Sequence, residues 1–111
     1  MKNILFITSR NAATDILLER TMESANRNNL HINIEVINEQ DGMARLQQNP
    51  PDLTLFSPSM RFYLNDRISK GLPEDAVIEV VDSRVYGSLD GRAMLETIAK
   101  GLGLDGVIRF L

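Results

Sequence analysis

The sequence predicts a single α/β domain: a four-stranded parallel sheet carrying helices on both faces. Three observations lead there. The chain has 111 residues, and a second core would need roughly 50 residues or more of its own. At 43% hydrophobic and 24% charged residues, its composition is that of an ordinary globular protein, which excludes disordered and fibrous architectures. Most informative, short apolar runs alternate with stretches of helical period in the order βαβαβαβα. The connections are too short for anything but compact right-handed crossovers. Residues 1–111 therefore form one unit, with no internal repeat or low-complexity tract.

Each element has its own signal. Ile4-Leu5-Phe6-Ile7 is a continuous apolar run, the pattern of a strand covered on both faces. After the polar stretch Ser9 to Asp15, Leu18, Met22 and Ala25 recur at four- and three-residue spacing, one face of a helix. Asn28-Asn29 ends that helix, because Asn favours turn and left-handed conformations. His31 to Asn38 alternates polar and apolar residues, so the second strand has one face exposed and belongs at a sheet edge. Asp41 to Gln48 forms a short helix, stopped by Asn49-Pro50-Pro51. Leu53-Thr54-Leu55-Phe56 is the third strand, ended by Ser57-Pro58. Met60 to Ser69 is helical, with Met60, Leu64 and Ile68 in register and Gly71-Leu72-Pro73 as its close. Ala76 to Val81 makes the fourth strand. The last helix runs through Ala93, Met94, Leu95, Ile98, Ala99 and Leu102, with Gly101 and Gly103 as its stop.

Composition also bounds function. A net charge of -3 argues against the positive field of nonspecific nucleic-acid binders, so no nucleic-acid partner is expected. The chain has no cysteine, which removes disulfides, thiolate metal sites and thiol nucleophiles together. His31 is the one histidine and cannot build a metal cluster, so neither metal nor cofactor is expected. The apolar run at the N-terminus turns polar by Thr8, too soon for a signal-peptide core or a bilayer span. The expectation is a cytoplasmic protein without direct membrane insertion.

In a parallel α/β sheet, ligands sit beyond the carboxyl ends of the strands. That directs attention to Thr8–Asp15, Ser57–Arg61 and Asp82–Gly91. In the first segment Arg10 is a fork-shaped cation suited to phosphate, while Thr14 and Asp15 are candidate helix N-caps. Ser57-Pro58-Ser59 reads as a strand-to-helix turn with Pro58 at the first helical position and hydroxyls that help line the site. In the third segment Gly87 is expected to supply a positive φ, and Asp90 to cap the last helix.

Two stretches carry a family resemblance. One is Val80-Val81-Asp82-Ser83 running into Tyr86-Gly87-Ser88-Leu89-Asp90-Gly91 and then Met94-Leu95. The other is Asp52-Leu53-Thr54-Leu55-Phe56-Ser57-Pro58-Ser59 followed by Tyr63-Leu64. Together they resemble the IIB components of the phosphoenolpyruvate-dependent sugar phosphotransferase system, lactose/cellobiose/chitobiose class, from Lys2 to about Leu102. The resemblance implies the IIB cellobiose type of fold, with strand order 2-1-3-4. It also implies a phosphotransferase: a carrier that takes phosphate from a histidine on a IIA partner and passes it to a sugar held by the membrane IIC permease.

In that family the acceptor is a cysteine in the first loop. Counting back from Leu17-Leu18 puts its position on Ser9, whereas counting forward from the strand start gives Thr8. The longer helix anchors the register better and favours Ser9. Arg10, Asn11, Ala12, Ala13, Thr14 and Asp15 then correspond to the phosphate loop, and Ser57, Pro58, Ser59, Tyr86, Gly87 and Asp90 border it. Ala12 stands where the family has glycine, Thr14 at a serine position, and Asp15 where a hydroxyl is usual.

The chemistry of the exchange is clear. A thiol of pKa about 8.5 ionises readily at a helix N-terminus, whereas a serine hydroxyl needs an adjacent base. His31 belongs to the far end of the sheet, and Asp15 and Asp82 are candidate bases by position only. Two functions follow: a phosphoryl carrier with Ser9 at the acceptor position, or a non-catalytic IIB-like interaction or regulatory module. A third is a small α/β protein that binds another anion in the first loop.

Overall fold

A computed structural model describes residues 1–61, 75–104 and 106. The helix expected from Met60 to Ser69 lies beyond Arg61 outside the described residues, as do Tyr63-Leu64 and the Gly71-Leu72-Pro73 stop. The described elements are β1 (Lys2–Ile7), α1 (Ala12–Arg27), β2 (Ile32–Ile37), α2 (Glu39–Gln48), β3 (Leu53–Phe56), a 3-10 turn (Pro58–Met60), β4 (Ile78–Val80), α3 (Ser83–Ser88) and α4 (Gly91–Gly101). The strands form one sheet in the order β2-β1-β3-β4, and every pairing is parallel. This is the architecture and strand order the sequence leads one to expect.

The sheet explains its own sequence pattern. β1 lies between β2 and β3 with helices on either side, so Ile4 to Ile7 are all buried and all apolar. β2 is an edge strand, and there exposed Asn33 and Glu35 alternate with the more buried Ile32, Ile34 and Val36. On one face Ile4, Phe6, Leu53 and Leu55 meet Leu17 and Ala25 of α1 and Met94, Leu95 and Ile98 of α4. On the other, Leu5, Ile7 and Phe56 meet Leu46 of α2 together with Met60.

The buried stripe of α1 differs from the expected one. Thr14, Leu17, Thr21, Ser24 and Ala25 are buried, while Leu18 and Met22 are only partly covered against the core. The reason is a close approach of α1 and α4. A Cβ on Gly91 would lie 2.5 Å from the carbonyl oxygen of Arg20, so the two helices meet backbone to backbone. Only small or hydroxyl side chains fit such a seam, and Thr21 satisfies itself by donating from Oγ1 to Leu17 O at 2.7 Å.

Helix starts also lie earlier than periodicity indicates. α1 begins at Ala12 behind Asn11, and α2 at Glu39 behind Asn38, rather than at Asp41. In each case the asparagine side chain accepts the amide of the third residue after it, a cap that apolar spacing does not reveal. The expected stop of α4 holds: the chain leaves the helix through Gly103 at φ 73°, and Leu104 N–H closes on Ala99 O at 2.8 Å.

α3 was not expected. Its sequence, Ser-Arg-Val-Tyr-Gly-Ser, has a central glycine, and none of its residues is buried. Caps make it helical instead: Asp82 accepts the Arg84 amide at 2.8 Å, and Leu89 turns the chain at its end with φ 54°. Gly87 is therefore inside a helix, and the positive φ assigned to it belongs to Leu89.

Candidate functional site

The three segments that follow β1, β3 and β4 converge on an open cleft of about 370 Å³. Thr8, Ser9 and Asn11 line it from the first, Ser57, Pro58 and Ser59 from the second, and Ser83, Tyr86 and Gly87 from the third. Parallel strands require this convergence, since all their carboxyl ends face the same way.

Each wall has a local cause. Thr8 continues the β1 ladder, its amide donating to Ile37 O at 3.0 Å, and its side chain is buried. Ser9 is the first exposed residue after the strand. Asn11 has an extended backbone and caps α1, with Oδ1 accepting Thr14 N–H at 3.0 Å. Asn11 thus holds the capping role expected of Thr14 or Asp15, because its side chain reaches the first turn from outside the helix. On the second wall Ser57 N–H donates to Ile7 O at 3.2 Å, Pro58 opens the 3-10 turn, and the Ser57 and Ser59 hydroxyls lie 3.0 Å apart.

A hydroxyl cluster joins the first and third walls. Thr14 is fully buried behind the loop, and its Oγ1 lies 3.0 Å from Ser9 O and 3.3 Å from Asn11 Oδ1. The same oxygen lies 3.0 Å from the Tyr86 hydroxyl, which is 3.5 Å from Thr8 Oγ1. The Tyr86 ring stands edge-on to Phe6, with centroids 6.5 Å apart and planes at 76°.

Of the residues expected at the site, Ser9, Asn11, Ser57, Pro58, Ser59, Tyr86 and Gly87 are brought together. Arg10, Ala12, Ala13, Thr14, Asp15 and Asp90 do not line the cleft. Arg10 Nε instead donates to Asp15 Oδ1 at 3.2 Å, in an ion pair whose side chains are 65% and 57% exposed. Ala12 and Ala13 belong to the first turn of α1 behind its cap. Asp90 caps α4 by accepting Ala93 N–H at 3.0 Å, as expected of it. Thr8, the alternative acceptor position, and Ser83, inside the third of the segments marked by strand polarity, complete the lining. Their signals were present: Thr8 ends the apolar run, and Ser83 follows the capping Asp82.

The cleft is lined by neutral side chains, hydroxyl-bearing ones most of all. Among the described residues no cation lines it. Its polarity comes from hydroxyls, the Asn11 amide and the capped N-terminus of α1, a set that suits an oxyanion better than a cation. The positional candidates for a base are committed elsewhere: Asp15 to Arg10, and Asp82 to the Arg84 amide. His31 sits where its carbonyl accepts Lys2 N–H, at the amino end of β1 and across the sheet from Ser9. Among the described residues no group of three or more His, Cys, Asp or Glu could hold a metal ion, and no helix is long and apolar enough to cross a membrane.

No family model matches the chain, and no curated protein does. Among solved structures it is similar to the solution structure of a cellobiose-specific phosphotransferase IIB component from Borrelia burgdorferi. The TM-score is 0.68 at 24% sequence identity, over 92% of this chain and 92% of that one. The fold is thus shared across nearly the whole length of both.

Proposed function

We propose that this chain is a IIB-type component of a cytoplasmic phosphotransferase relay of the lactose/cellobiose class, docking between a IIA phosphocarrier and a membrane IIC permease. One observation carries the proposal. The cleft of hydroxyl and amide groups lies at the carboxyl ends of β1 and β3 in a fold shared with a cellobiose-specific IIB component. Ser9, the residue matched to the acceptor position, is exposed and lines the cleft.

In this reading the cleft takes the phosphoryl group, and Ser9 Oγ attacks phosphorus. An O–P bond forms as the N–P bond of the donor histidine breaks, and the hydroxyl proton leaves on the departing imidazole. Asp15 and Asp82 are engaged with Arg10 and the Arg84 amide, so the proton is assigned to the departing imidazole. Onward transfer is the weaker half, because a phosphoserine ester is a poorer donor than a thiophosphate. The test is to incubate the protein with phosphorylated IIA and read the intact mass. A phosphate gained by the native chain and lost in Ser9→Ala supports the carrier role, and no gain at any IIA concentration defeats it.

A second reading is favoured by the engagement of Asp15 and Asp82, the two carboxylates that position offers as bases, with Arg10 and the Arg84 amide. There the chain is a non-catalytic docking or regulatory module that recognises the phosphorylated partner without accepting its phosphate. Stable co-elution with phosphorylated IIA and no mass gain would distinguish it from the carrier.

A further inference from the structure

The geometry of the hydroxyl cluster behind the cleft favours one hydrogen-bond direction. Thr14 Oγ1 carries one hydrogen and has three neighbours: Ser9 O at 3.0 Å, Asn11 Oδ1 at 3.3 Å and Tyr86 OH at 3.0 Å. A carbonyl and an amide oxygen only accept, so the Thr14 hydrogen goes to one of them, with Ser9 O the nearer. With the Thr14 hydrogen so placed, Tyr86 is the donor to Thr14 at 3.0 Å, the nearer of its two hydroxyl neighbours, Thr8 Oγ1 being 3.5 Å away. The Tyr86 proton is directed at Thr14, which is buried behind the loop, although Tyr86 itself lines the cleft.

From this arrangement we infer that Tyr86 is a positioning residue coupling oxyanion occupancy of the cleft to the Ser9 peptide. The inference rests on the cleft being the phosphoryl site. An anionic oxygen is a stronger acceptor than a threonine hydroxyl, so Tyr86 turns its proton to the anion. Thr14 then donates to the vacated Tyr86 oxygen, and Ser9 O loses its donor. Two O–H bonds rotate, and no proton changes owner. The empty cleft holds the Ser9 carbonyl fixed, and the occupied one releases it. The edge contact with Phe6 holds the ring in place, so the hydroxyl can turn while the ring stays where it is.

The test uses the full chain, inorganic phosphate as the probe, and backbone amide shifts read by NMR. The Arg10 amide shares its peptide group with the Ser9 carbonyl and reports on it directly. In the native chain, phosphate should move Arg10 N–H together with the cleft amides, at one saturation constant. Tyr86→Phe keeps the ring and removes the proton. It should weaken phosphate binding by on the order of tenfold, the loss expected for a hydrogen bond to a charged group. Thr14→Val should bind phosphate within about threefold of native, by the same reasoning, while its Arg10 shift stops responding. Thr14→Ser restores the hydroxyl and should restore the response.

A purely structural role for Tyr86 would change stability without altering the phosphate dependence of Arg10. An unchanged phosphate affinity in Tyr86→Phe overturns the coupling, and so does an Arg10 amide indifferent to phosphate in the native chain. Labelling of Ser9 by phosphorylated IIA alongside an indifferent Arg10 would leave the carrier role standing and remove only the coupling. The converse result would remove only the carrier role.

Discussion

Arg20 of α1 donates from Nη1 to the carbonyl oxygen of Leu89 at 3.1 Å, and Leu89 is left-handed at φ 54° where the chain leaves α3. With the Thr14–Tyr86 contact, this gives α1 two holds on the C-terminal half of α3. A helix of six residues with none fully buried is marginal by itself. The third wall of the cleft is held by these side chains of α1 together with the partial burial of Val85, Tyr86 and Leu89 against the core.

Arg20→Ala should loosen that wall without unfolding the domain. The bond is exposed, so the global cost should stay near 1 kcal/mol or below. Local opening should respond more strongly, because the segment is short and none of its residues is fully buried. Hydrogen exchange of the amides from Tyr86 to Asp90 is the measurement. Faster exchange there, with α4 protected as before, is the expected result, and uniform acceleration would contradict it.

Gly91 and Gly87 should behave oppositely on conversion to alanine. At Gly91 a new Cβ would meet backbone, 2.5 Å from Arg20 O, and the α1–α4 seam must part. A loss of about 1–3 kcal/mol is expected, the range for overpacking a tight contact. At Gly87 no atom of the described residues would lie within 4 Å of a new Cβ and the conformation is helical, so alanine should stabilise by about 0.4–1 kcal/mol. Chemical denaturation of the two variants side by side decides the matter. A destabilised Gly87→Ala would reinstate the turn that the sequence alone indicates at this position.

What was legible in the sequence depended on apolar pattern. Ile4 to Ile7 showed a central strand and the alternation from His31 to Asn38 an edge, because burial on two faces or one dictates those patterns. Pro58 marked its turn through its fixed φ. Elements held by polar contacts were not legible. α3 depends on Asp82, Leu89 and two side chains of α1, and no periodicity encodes such partners. The seam of Thr14, Thr21 and Ser24 reads as a polar face until the close approach at Gly91 is known. Arg10 looked like a phosphate ligand, but its orientation is set by the side chain of Asp15, which loop position does not reveal.

Ser24 offers a test of that seam. Its Oγ is buried without a hydrogen-bond partner, and the residue is 3% exposed. An unsatisfied buried hydroxyl costs about 1–3 kcal/mol, and alanine is also the better helix former. Ser24→Ala should therefore raise stability, by about 1 kcal/mol, and raise the melting temperature with it. A clear loss of stability would mean that the hydroxyl is bonded in solution.

The last prediction concerns the cation outside the cleft. Arg10 is held by Asp15 in an exposed pair, an interaction worth roughly 0–1 kcal/mol. Asp15→Asn removes a carboxylate from the first turn of α1, where the helix dipole favours negative charge, and should cost stability by about 0.3–1 kcal/mol. The same change frees Arg10 and leaves the anion without a competitor at that helix end. Phosphate affinity should consequently rise several-fold as stability falls. Because the pair is exposed, salt should erase most of the gain, with a Debye length near 10 Å at 0.1 M and about 3 Å at 1 M. Calorimetric titration at low and high ionic strength checks this. The double variant with Arg10→Ala then separates charge removal from the freed guanidinium. If the single and double variants bind phosphate equally well, Arg10 takes no part in binding, and only relief of repulsion from Asp15 is left.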